Sequence, residues 1–166
     1  MDGRQAPARR RGAEEINAPL RIRPALPADA PVLCGLDSFA ARAPARRGEI
    51  ARWLASARVF LAERDGVALG YGVTHDHFFG RDFLELVMVD AAARGQGIGT
   101  ALILHARRAC RSDCLWTSTN SSNLPMQSLL GRLGFIRSGR VEGLDEGDPE
   151  IFFRAPAERF HPPLVE

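Results

Sequence analysis

The sequence predicts a mixed α/β fold in which about four helices pack on a central, mostly antiparallel sheet of about seven strands with one parallel pair. Three observations predict it. The chain has 166 residues, 45% of them hydrophobic and 25% charged, as expected of one globular domain. Three strand-like segments follow one another across short turns between residues 59 and 89, which predicts an antiparallel meander. A strand, a glycine-rich turn, a helix and another strand follow between residues 83 and 119, and such a βαβ unit pairs its strands in parallel.

The first half of the chain is divided by proline, aspartate and glycine. Pro24 ends an alternating segment, and Asp29 is a predicted helix N-cap after a turn. Asp65-Gly66 supplies the positive φ angles of a hairpin turn. Gly70 and Gly72 indicate a close approach of another group to their strand. The predicted elements are a strand at residues 20–23, a helix from Asp29 to about Ala40, a helix at residues 46–56, and strands at residues 59–63, 67–75 and 83–89.

The second half alternates helices and strands. Pro125 suits the first turn of a helix capped by Asn123, and Gly134 suits its end. The helix before it shows one apolar face, made of Ile98, Ala101, Leu102, His105 and Ala109. The remaining predicted elements are strands at residues 115–119, 135–139 and 151–154, with an acidic loop at residues 142–150.

Residues 94–100, with the sequence Arg-Gly-Gln-Gly-Ile-Gly-Thr, form the clearest functional motif. A glycine-rich turn between a strand and a helix leaves several backbone N–H groups directed at one place, where they favour an anion such as phosphate. A P-loop would need a lysine, and the chain contains none. The glycine spacing and the position of the strand also differ from those of a dinucleotide-binding fingerprint. The pattern that remains is R-x-x-G-x-G.

This loop resembles the pyrophosphate loop of the GNAT N-acetyltransferase superfamily. The β-α-α-β-β-β-α-β-α-β-β order over about residues 20–154 is similar to that of the superfamily. Asn123, Leu129, Arg132, Gly134 and Phe135 resemble its second motif, an Asn-led helix that closes on Gly-Phe. The resemblance implies a GNAT-like fold whose parallel strand pair splays apart at a cleft for acetyl-CoA. It implies cofactor contacts from Met88, Val89, Arg94, Gly95, Gln96, Gly97, Ile98, Gly99, Thr100, Asn120 and Asn123.

Glu85 lies within the apolar strand at residues 83–89, and strict alternation would place it on one face with Phe83, Val87 and Val89. A buried carboxylate needs a partner. Several GNAT enzymes carry a Glu four residues before the Val of this strand, where it takes the proton of the acceptor amine directly or through water. Glu85 is therefore the candidate base, and an ion pair with an arginine is the structural alternative.

The general acid departs from the family pattern. Many GNAT enzymes protonate the departing thiolate with a Tyr in the second-motif helix, and this chain has Leu130 there. Its only tyrosine, Tyr71, lies on another strand. Water, a hydroxyl such as Ser128, or unaided departure of a thiolate with a pKa of about 8.5 are the alternatives.

His75 and His77 are alternative bases, because the end of their strand lies near the acceptor cleft in this fold. Their H-x-H spacing can bind zinc, but no third ligand lies at metal spacing, so no metal is expected. His105 is predicted to be a packed core histidine. The carboxylates at residues 142–150 form either a solvated loop or a wall that attracts a cationic acceptor.

Composition limits the partners and the compartment. The net charge of +2 does not indicate nucleic acid, and no apolar stretch is long enough for a membrane span or a signal peptide. Cys34, Cys110 and Cys114 are odd in number and without metal-like pairing, which favours the reducing cytoplasm. The sequence is compatible with a homodimer.

The predicted organisation is a disordered tail at residues 1–19, the GNAT-like domain at residues 20–155 and a C-terminal tail at residues 156–166. The predicted function is transfer of acetyl from acetyl-CoA to a primary amine by direct attack in a ternary complex. The acceptor is of unknown identity, with cationic amines and peptides among the candidates. The alternatives are a GNAT-fold module that binds acyl-CoA as a sensor or interaction partner, and an unrelated nucleotide-binding α/β domain.

Overall fold

The computed structural model describes residues 18–158, so the two predicted tails lie almost entirely outside the described residues. The described chain forms seven strands and four α-helices, with short 3-10 turns at Pro27–Asp29 and Ala91–Ala93. The predicted element order and fold class are confirmed. The elements are β1 (Arg21–Pro24), α1 (Ala30–Leu36), α2 (Pro44–Ser56), β2 (Arg58–Arg64), β3 (Val67–Phe78), β4 (Arg81–Val89), α3 (Ile98–Arg108), β5 (Cys114–Asn120), α4 (Leu124–Arg132), β6 (Ile136–Val141) and β7 (Glu150–Pro156).

The strands form one sheet in the order β1-β2-β3-β4-β5-β7-β6. Every neighbouring pair is antiparallel except β4 and β5, which are parallel, as the βαβ unit around α3 predicts. This parallel pair is short: only Phe83 with Trp116 and Leu84 with Thr117 are in register. Beyond Leu84 the two strands, which both lie within the described residues, no longer pair, and they separate as the resemblance implies.

Two apolar clusters cover the two faces of the sheet. One, the α3/α4 cluster, contains Ile98, Leu102 and Ile103 of α3 and Leu130 of α4. The other, the α1/α2 cluster, packs these two helices on the sheet and contains the buried residues Leu33, Ala40, Ile50, Val59, Leu61, Tyr71, Val73 and Met88. None of the helices in the described residues has the length and hydropathy needed to cross a membrane.

The two strand glycines of β3 lie where other groups approach closely, as predicted. A Cβ atom at Gly72 would lie 2.4 Å from the ring of Phe60, and one at Gly70 would lie 2.6 Å from the carbonyl oxygen of Met88. Any larger residue at either position would displace a core ring or the backbone of β4.

β4 contains a β-bulge at Glu85. Val73 of β3 pairs with Leu86, but the next residue of β3, Thr74, pairs with Leu84, so Glu85 is the extra residue without a partner in register. A bulge of this kind bends its strand and redirects a side chain. It lies where β4 begins to separate from β5.

The bulge corrects the predicted face of β4. Phe83 does not share a face with Val87 and Val89, because the extra residue shifts the alternation by one position. Leu84 packs in the α3/α4 cluster together with Val87 and Val89, whereas Phe83 pairs with His75 on the opposite face.

Helix α1 is shorter than predicted, since it ends at Leu36 and not near Ala40. The Asp37 carboxylate accepts hydrogen bonds from the backbone N–H groups of Phe39 and Ala40, at 2.8 and 3.3 Å, and so replaces the next helical turn. Asp29 occupies the N-cap position of α1, but its carboxylate accepts from the backbone of Leu26 and does not cap α1.

The predicted apolar face of α3 is partly wrong. Ile103 and Ala106 are buried, whereas Ala109 is exposed. The buried face is wider than the one predicted from the sequence, because α3 packs across four strands, β2, β3, β4 and β5. His105 is half-buried and packs against Phe60 with ring centroids 4.9 Å apart, and burial lowers the pKa of its imidazole.

Candidate functional site

A cleft of about 320 Å³ opens where β4 and β5 separate. Its walls come from both faces of the sheet, since Met88 belongs to the α1/α2 cluster while Ile103 and Leu130 belong to the α3/α4 cluster. The lining residues are Phe39, Leu84, Glu85, Leu86, Val87, Met88, Ile103, Thr117, Ser118, Thr119, Asn120, Asn123, Met126, Leu130 and Glu150. A gap between two diverging strands can hold an extended ligand arm against strand backbone.

The loop at residues 94–100 leads directly from β4 into α3. Gly95 and Gly97 have φ angles of 77° and 79°, in the left-handed region that favours glycine. Gly97 is the N-cap of α3, which therefore begins without a side-chain cap. The first N–H groups of α3 have no partners inside the helix, so they remain available to an anion. The loop thus has the backbone arrangement that a pyrophosphate needs.

The side chains around this loop are mostly exposed and polar. Arg94 is exposed, and Thr100 is half-buried in the first turn of α3. Gln96 donates to the carbonyl oxygen of Ala92 at 3.4 Å and accepts from Nη1 of Arg64 at 3.3 Å. The Nε atom of Arg64 is buried without a hydrogen-bond partner among the described residues. Arg64, at the end of β2, was not predicted here, because it lies 30 residues from the loop in sequence.

The two predicted asparagines lie at the cleft with different partners. Asn123 caps α4 by accepting from the backbone N–H of Met126 at 3.3 Å, and its amide donates to Thr119 at 3.0 Å. Asn120 donates to the Asp145 carboxylate at 2.7 Å. Asn123 therefore fixes the start of α4 beside the cleft, while the amide nitrogen of Asn120 already has a protein partner.

The acidic loop at residues 142–150 folds onto the turn after β5. Asp148 accepts from the hydroxyl groups of Ser121 and Ser122 and from the backbone of Ser122. Hydrogen bonds from Ser122, and to a smaller extent from Ser121, lower the pKa of the Asp148 carboxyl. Glu150 lines the cleft, so part of this segment is structural and part borders the site.

Glu85 is directed into the cleft at the bulge of β4, and its side chain is 41% exposed. Its partner is His75, whose Nε2 atom lies 3.1 Å from Oε2 of Glu85. The structural alternative for Glu85, an ion pair with an arginine, is not what the described residues form. The His77 ring is exposed, and its Nε2 atom lies 3.5 Å from Oδ1 of Asp76.

The residues considered for the general acid lie apart from one another. Leu130 is 1% exposed and lines the cleft, where it offers no proton. Ser128 is exposed outside the cleft lining, and its hydroxyl accepts from Arg132 at 2.7 Å. Tyr71 is buried and donates to Asp37 at 2.7 Å, and burial together with this bond raises the pKa of Tyr71 far above its ordinary value. The geometry therefore does not favour Ser128, whose role stays a prediction.

Phe39 lines the same cleft as Glu85, and it lies in the segment that the sequence predicted to be the end of the first helix. It is 61% exposed although it lines the cleft. Asp37 holds the backbone of this segment, and Arg46 places its guanidinium 6.0 Å from the Phe39 ring. Arg46 also donates to Asp37 at 2.8 Å, so one ion pair orients an exposed aromatic ring.

The Asp37 carboxylate is the centre of this support. Its side chain is fully buried and accepts from Tyr71, Arg46 and two backbone N–H groups. Burial acts against ionisation, but the hydrogen bonds of Tyr71, the Phe39 backbone and Arg46 together hold the pKa of Asp37 below its ordinary value. The sequence signal for this network was weak, because an Asp after a short helix is also common at a solvated helix end.

Comparisons with known proteins agree with this geometry. The family model that matches is described as the acetyltransferase (GNAT) family, and it covers residues 32–135. A search of curated protein sequences found no match. A solved acetyltransferase of the GNAT family from Bacillus cereus ATCC 10987 is 30% identical, with a TM-score of 0.78 over 84% of this chain and 98% of that one.

Two more distant solved structures share the fold. YncA from Salmonella typhimurium, solved with its cofactor acetyl-CoA, is 23% identical, with a TM-score of 0.64 over 88% of this chain and 99% of that one. The ribosomal-protein-S18-alanine N-acetyltransferase from Escherichia coli is 19% identical, with a TM-score of 0.68 over 89% and 99% of the two chains. Since the family model spans more than half of the chain, the chain belongs to the GNAT family of acetyltransferases, whose acyl donor is acetyl-CoA.

Proposed function

We propose that this protein transfers the acetyl group of acetyl-CoA to a primary amine by direct attack in a ternary complex, with Glu85 as the base. The observation that carries the proposal is the position of Glu85. The bulge of β4 directs its carboxylate into the cleft that begins where β4 leaves β5, and the anion-binding loop follows at the end of the same strand. A carboxylate and a thioester bound along β4 would then meet in one cleft.

Cofactor binding would use the backbone of the strand and the loop. The pantetheine arm would lie along Met88 and Val89, and the pyrophosphate would accept from the N–H groups of residues 95–100. Arg94 and Thr100 would add side-chain donors. Asn123 would border the arm from the start of α4.

The chemical step needs a proton acceptor. An alkylammonium has a pKa of about 10.4 and cannot attack until it loses a proton. Glu85 accepts that proton, the amine nitrogen bonds to the thioester carbonyl carbon, and the carbon–sulfur bond breaks with its electron pair on sulfur. The second proton of the nitrogen leaves to solvent, and the sulfur departs as a thiolate.

Departure of the thiolate does not require a protein acid. A thiol with a pKa of about 8.5 gives a tolerable leaving group, which is compatible with the apolar Leu130 at the cleft. Phe39 and Glu150 line the cleft together with Glu85. These three side chains favour an acceptor amine that has an apolar group next to its positive charge.

Coenzyme A release tests this proposal. The purified protein is incubated with acetyl-CoA and a panel of amines: methylamine, longer alkylamines, arylethylamines, diamines and peptides with a free N-terminus. Because the chain contains no lysine, acetylation of its own lysine side chains cannot contribute to the signal. We expect release that depends on the amine and an acetylated product by mass spectrometry. Release that equals hydrolysis without amine, for every acceptor, would contradict the proposal.

A second function is favoured by Leu130 alone. A GNAT-fold module that binds acyl-CoA as a sensor would need no proton donor in α4, and Leu130 has none to give. Calorimetric titration with acetyl-CoA separates the two functions when it is combined with the amine panel. Tight binding without turnover on any amine would favour the sensor. Protection of the fold by ATP or NAD, but not by acetyl-CoA, would contradict both.

A further inference from the structure

His75 and Glu85 form a pair that joins β3 to the bulge of β4. The 3.1 Å contact between Nε2 and Oε2 is accompanied by stacking of the His75 ring on Phe83, with centroids 5.5 Å apart and planes 22° apart. His75 is only 19% exposed. It lines a separate cavity of about 350 Å³ and is not part of the cleft wall, whereas Glu85 is.

The proton of the His75 ring can be assigned from its second contact. The backbone N–H of His77 donates to Nδ1 of His75 at 3.1 Å. A backbone N–H can only donate, so Nδ1 presents its lone pair and the neutral ring carries its hydrogen on Nε2. That hydrogen points at Glu85. Neither ring nitrogen has a free lone pair, and His75 itself is therefore poorly suited to accept the proton of an amine.

We propose that His75 is a positioning residue for Glu85, and that the backbone of His77 fixes the tautomer this requires. The Nε2–H group holds one carboxylate oxygen of Glu85, so the other oxygen stays free to accept the proton of the acceptor amine. The inference rests on the proposed function of Glu85. Positioning is needed because Glu85 lies in the bulge, where its exposed side chain has no partner in the strand register. Without His75, the Glu85 side chain would have to lose conformational entropy during the reaction.

Protonation of His75 breaks this arrangement. A charged imidazole carries hydrogens on both nitrogens, so Nδ1–H would face the N–H of His77 and the ring would have to turn. The charged or titratable groups that contact the His75 ring are Glu85 on β4 and His77 on β3, and those that line its cavity are Asp76 on β3, Arg58 on β2 and Arg111 after α3.

Two substitutions, His75→Gln and His75→Asn, both supply an amide N–H donor but place it at different distances from the backbone. The amide nitrogen of His75→Gln reaches about as far as Nε2, whereas that of His75→Asn ends near the position of Nδ1. We expect His75→Gln to keep kcat within about threefold of the unsubstituted protein, and His75→Asn to lower it about tenfold with the KM for acetyl-CoA unchanged. Arg21→Gln, on the edge strand β1 and away from both cavities, is the control for a substitution to glutamine and should leave kcat unchanged.

The pH profile provides a readout that a purely structural role would not move. The ratio of kcat/KM between the unsubstituted protein and His75→Gln, measured with one amine from pH 5 to 9, cancels the ionisation of the acceptor. We expect this ratio to be constant at high pH and to fall at low pH. Protonation disrupts the contact of His75 with Glu85, whereas the amide of His75→Gln does not titrate.

A double-mutant cycle with Glu85→Gln completes the test. If His75 acts through Glu85, His75→Asn has no further effect on kcat when Glu85 is already Gln. Equal rates for His75→Asn and the unsubstituted protein, or additive losses in the cycle, would overturn the inference. If His75→Asn does not fold, as judged by circular dichroism and acetyl-CoA titration, the pH ratio with His75→Gln decides, and a flat ratio would overturn it.

Failure of the underlying function has a different signature. A Glu85→Gln protein as active as the unsubstituted one would show that Glu85 is not the base, and the inference about His75 would fail with it. A slow Glu85→Gln protein beside fully active His75 variants would leave Glu85 as the base and remove only the role of His75.

Discussion

The site has a proposed cofactor side and a proposed acceptor side, and the two are built in opposite ways. On the proposed cofactor side, residues 94–100 present backbone N–H groups from one continuous stretch, with exposed glycines at positive φ. On the proposed acceptor side, Phe39 and Glu85 come from distant segments, and their partners Asp37 and His75 are buried or half-buried. Backbone recognition needs only the local sequence, whereas side-chain chemistry here needs the correct packing of β3, β4 and the segment that joins α1 to α2.

The comparison predicts a clean division of effects. Changes on the cofactor side should alter the Kd of acetyl-CoA, and changes on the acceptor side should alter kcat or the KM of the amine. A cofactor-side variant that changes amine selectivity would show that the two sides are not independent.

The largest effect is expected from Gly97→Val. A β-branched residue at φ 79° is strained, and its side chain would occupy space that the pyrophosphate needs. We expect the Kd of acetyl-CoA to rise more than about 100-fold, measured by calorimetry.

Gly80→Val is the matched control for Gly97→Val. Gly80 has φ 71° in the β3–β4 turn, and a Cβ atom there meets nothing within 4 Å. The strain is similar but no phosphate is near, so the thermal midpoint should fall while the Kd stays the same. An unchanged Kd for Gly97→Val would remove the loop assignment.

The second-largest effect is expected from Glu85→Gln. The amide cannot accept the amine proton, so kcat should fall about 100-fold while the Kd of acetyl-CoA stays the same. The loss should be smallest at high pH, where the free amine is already abundant. Glu63→Gln in β2, whose ion-pair partners among the described residues are Arg21 and Arg23, should retain kcat. A normal rate for Glu85→Gln would exclude it as the base.

Asp37→Asn tests the support of the acceptor side. Removing a charge that Arg46 pairs with inside the protein should cost about 3 kcal/mol in the free energy of unfolding, measured with urea. Asp65→Asn, on an exposed hairpin turn, should change it by less than about 0.5 kcal/mol.

The pH dependence of that effect has a definite sign. The folded-state pKa of Asp37 lies below its unfolded value of about 3.9. The stabilisation is therefore complete above about pH 3.9 and is lost as the pH falls through the lower folded-state value. The stability difference between the unsubstituted protein and Asp37→Asn should shrink in that range. A difference that does not depend on pH there would show that the lost contact is not ionic.

Phe39→Ala should have the smallest effect. Loss of an aromatic ring at the cleft should lower kcat/KM for an arylethylamine about tenfold and leave methylamine almost unchanged, because only the former has an apolar group to contact it. Phe39→Leu should lie between the two proteins. Equal losses for both amines would indicate a disturbed segment and not a lost contact.

Much of the fold could be predicted because its signals are local. Asp65-Gly66 fixes a hairpin, Asn123 and Pro125 begin α4, and the glycines at 95 and 97 mark the loop. The errors occurred where a tertiary contact overrides periodicity. The helix predicted to reach Ala40 ends at Leu36 because Asp37 takes backbone donors, and the face of β4 changes because Glu85 bulges out of register.

The family, the element order and the glycine loop at residues 94–100 could be predicted from the sequence, since glycine and proline positions restrict the backbone whatever packs around them. The contacts of Glu85 and Phe39 depend on the tertiary structure. The partner of Glu85 lies ten residues away on another strand, and the Asp37 network joins residues 34 positions apart. No local pattern encodes such pairs, because they exist only after the sheet has fixed its register.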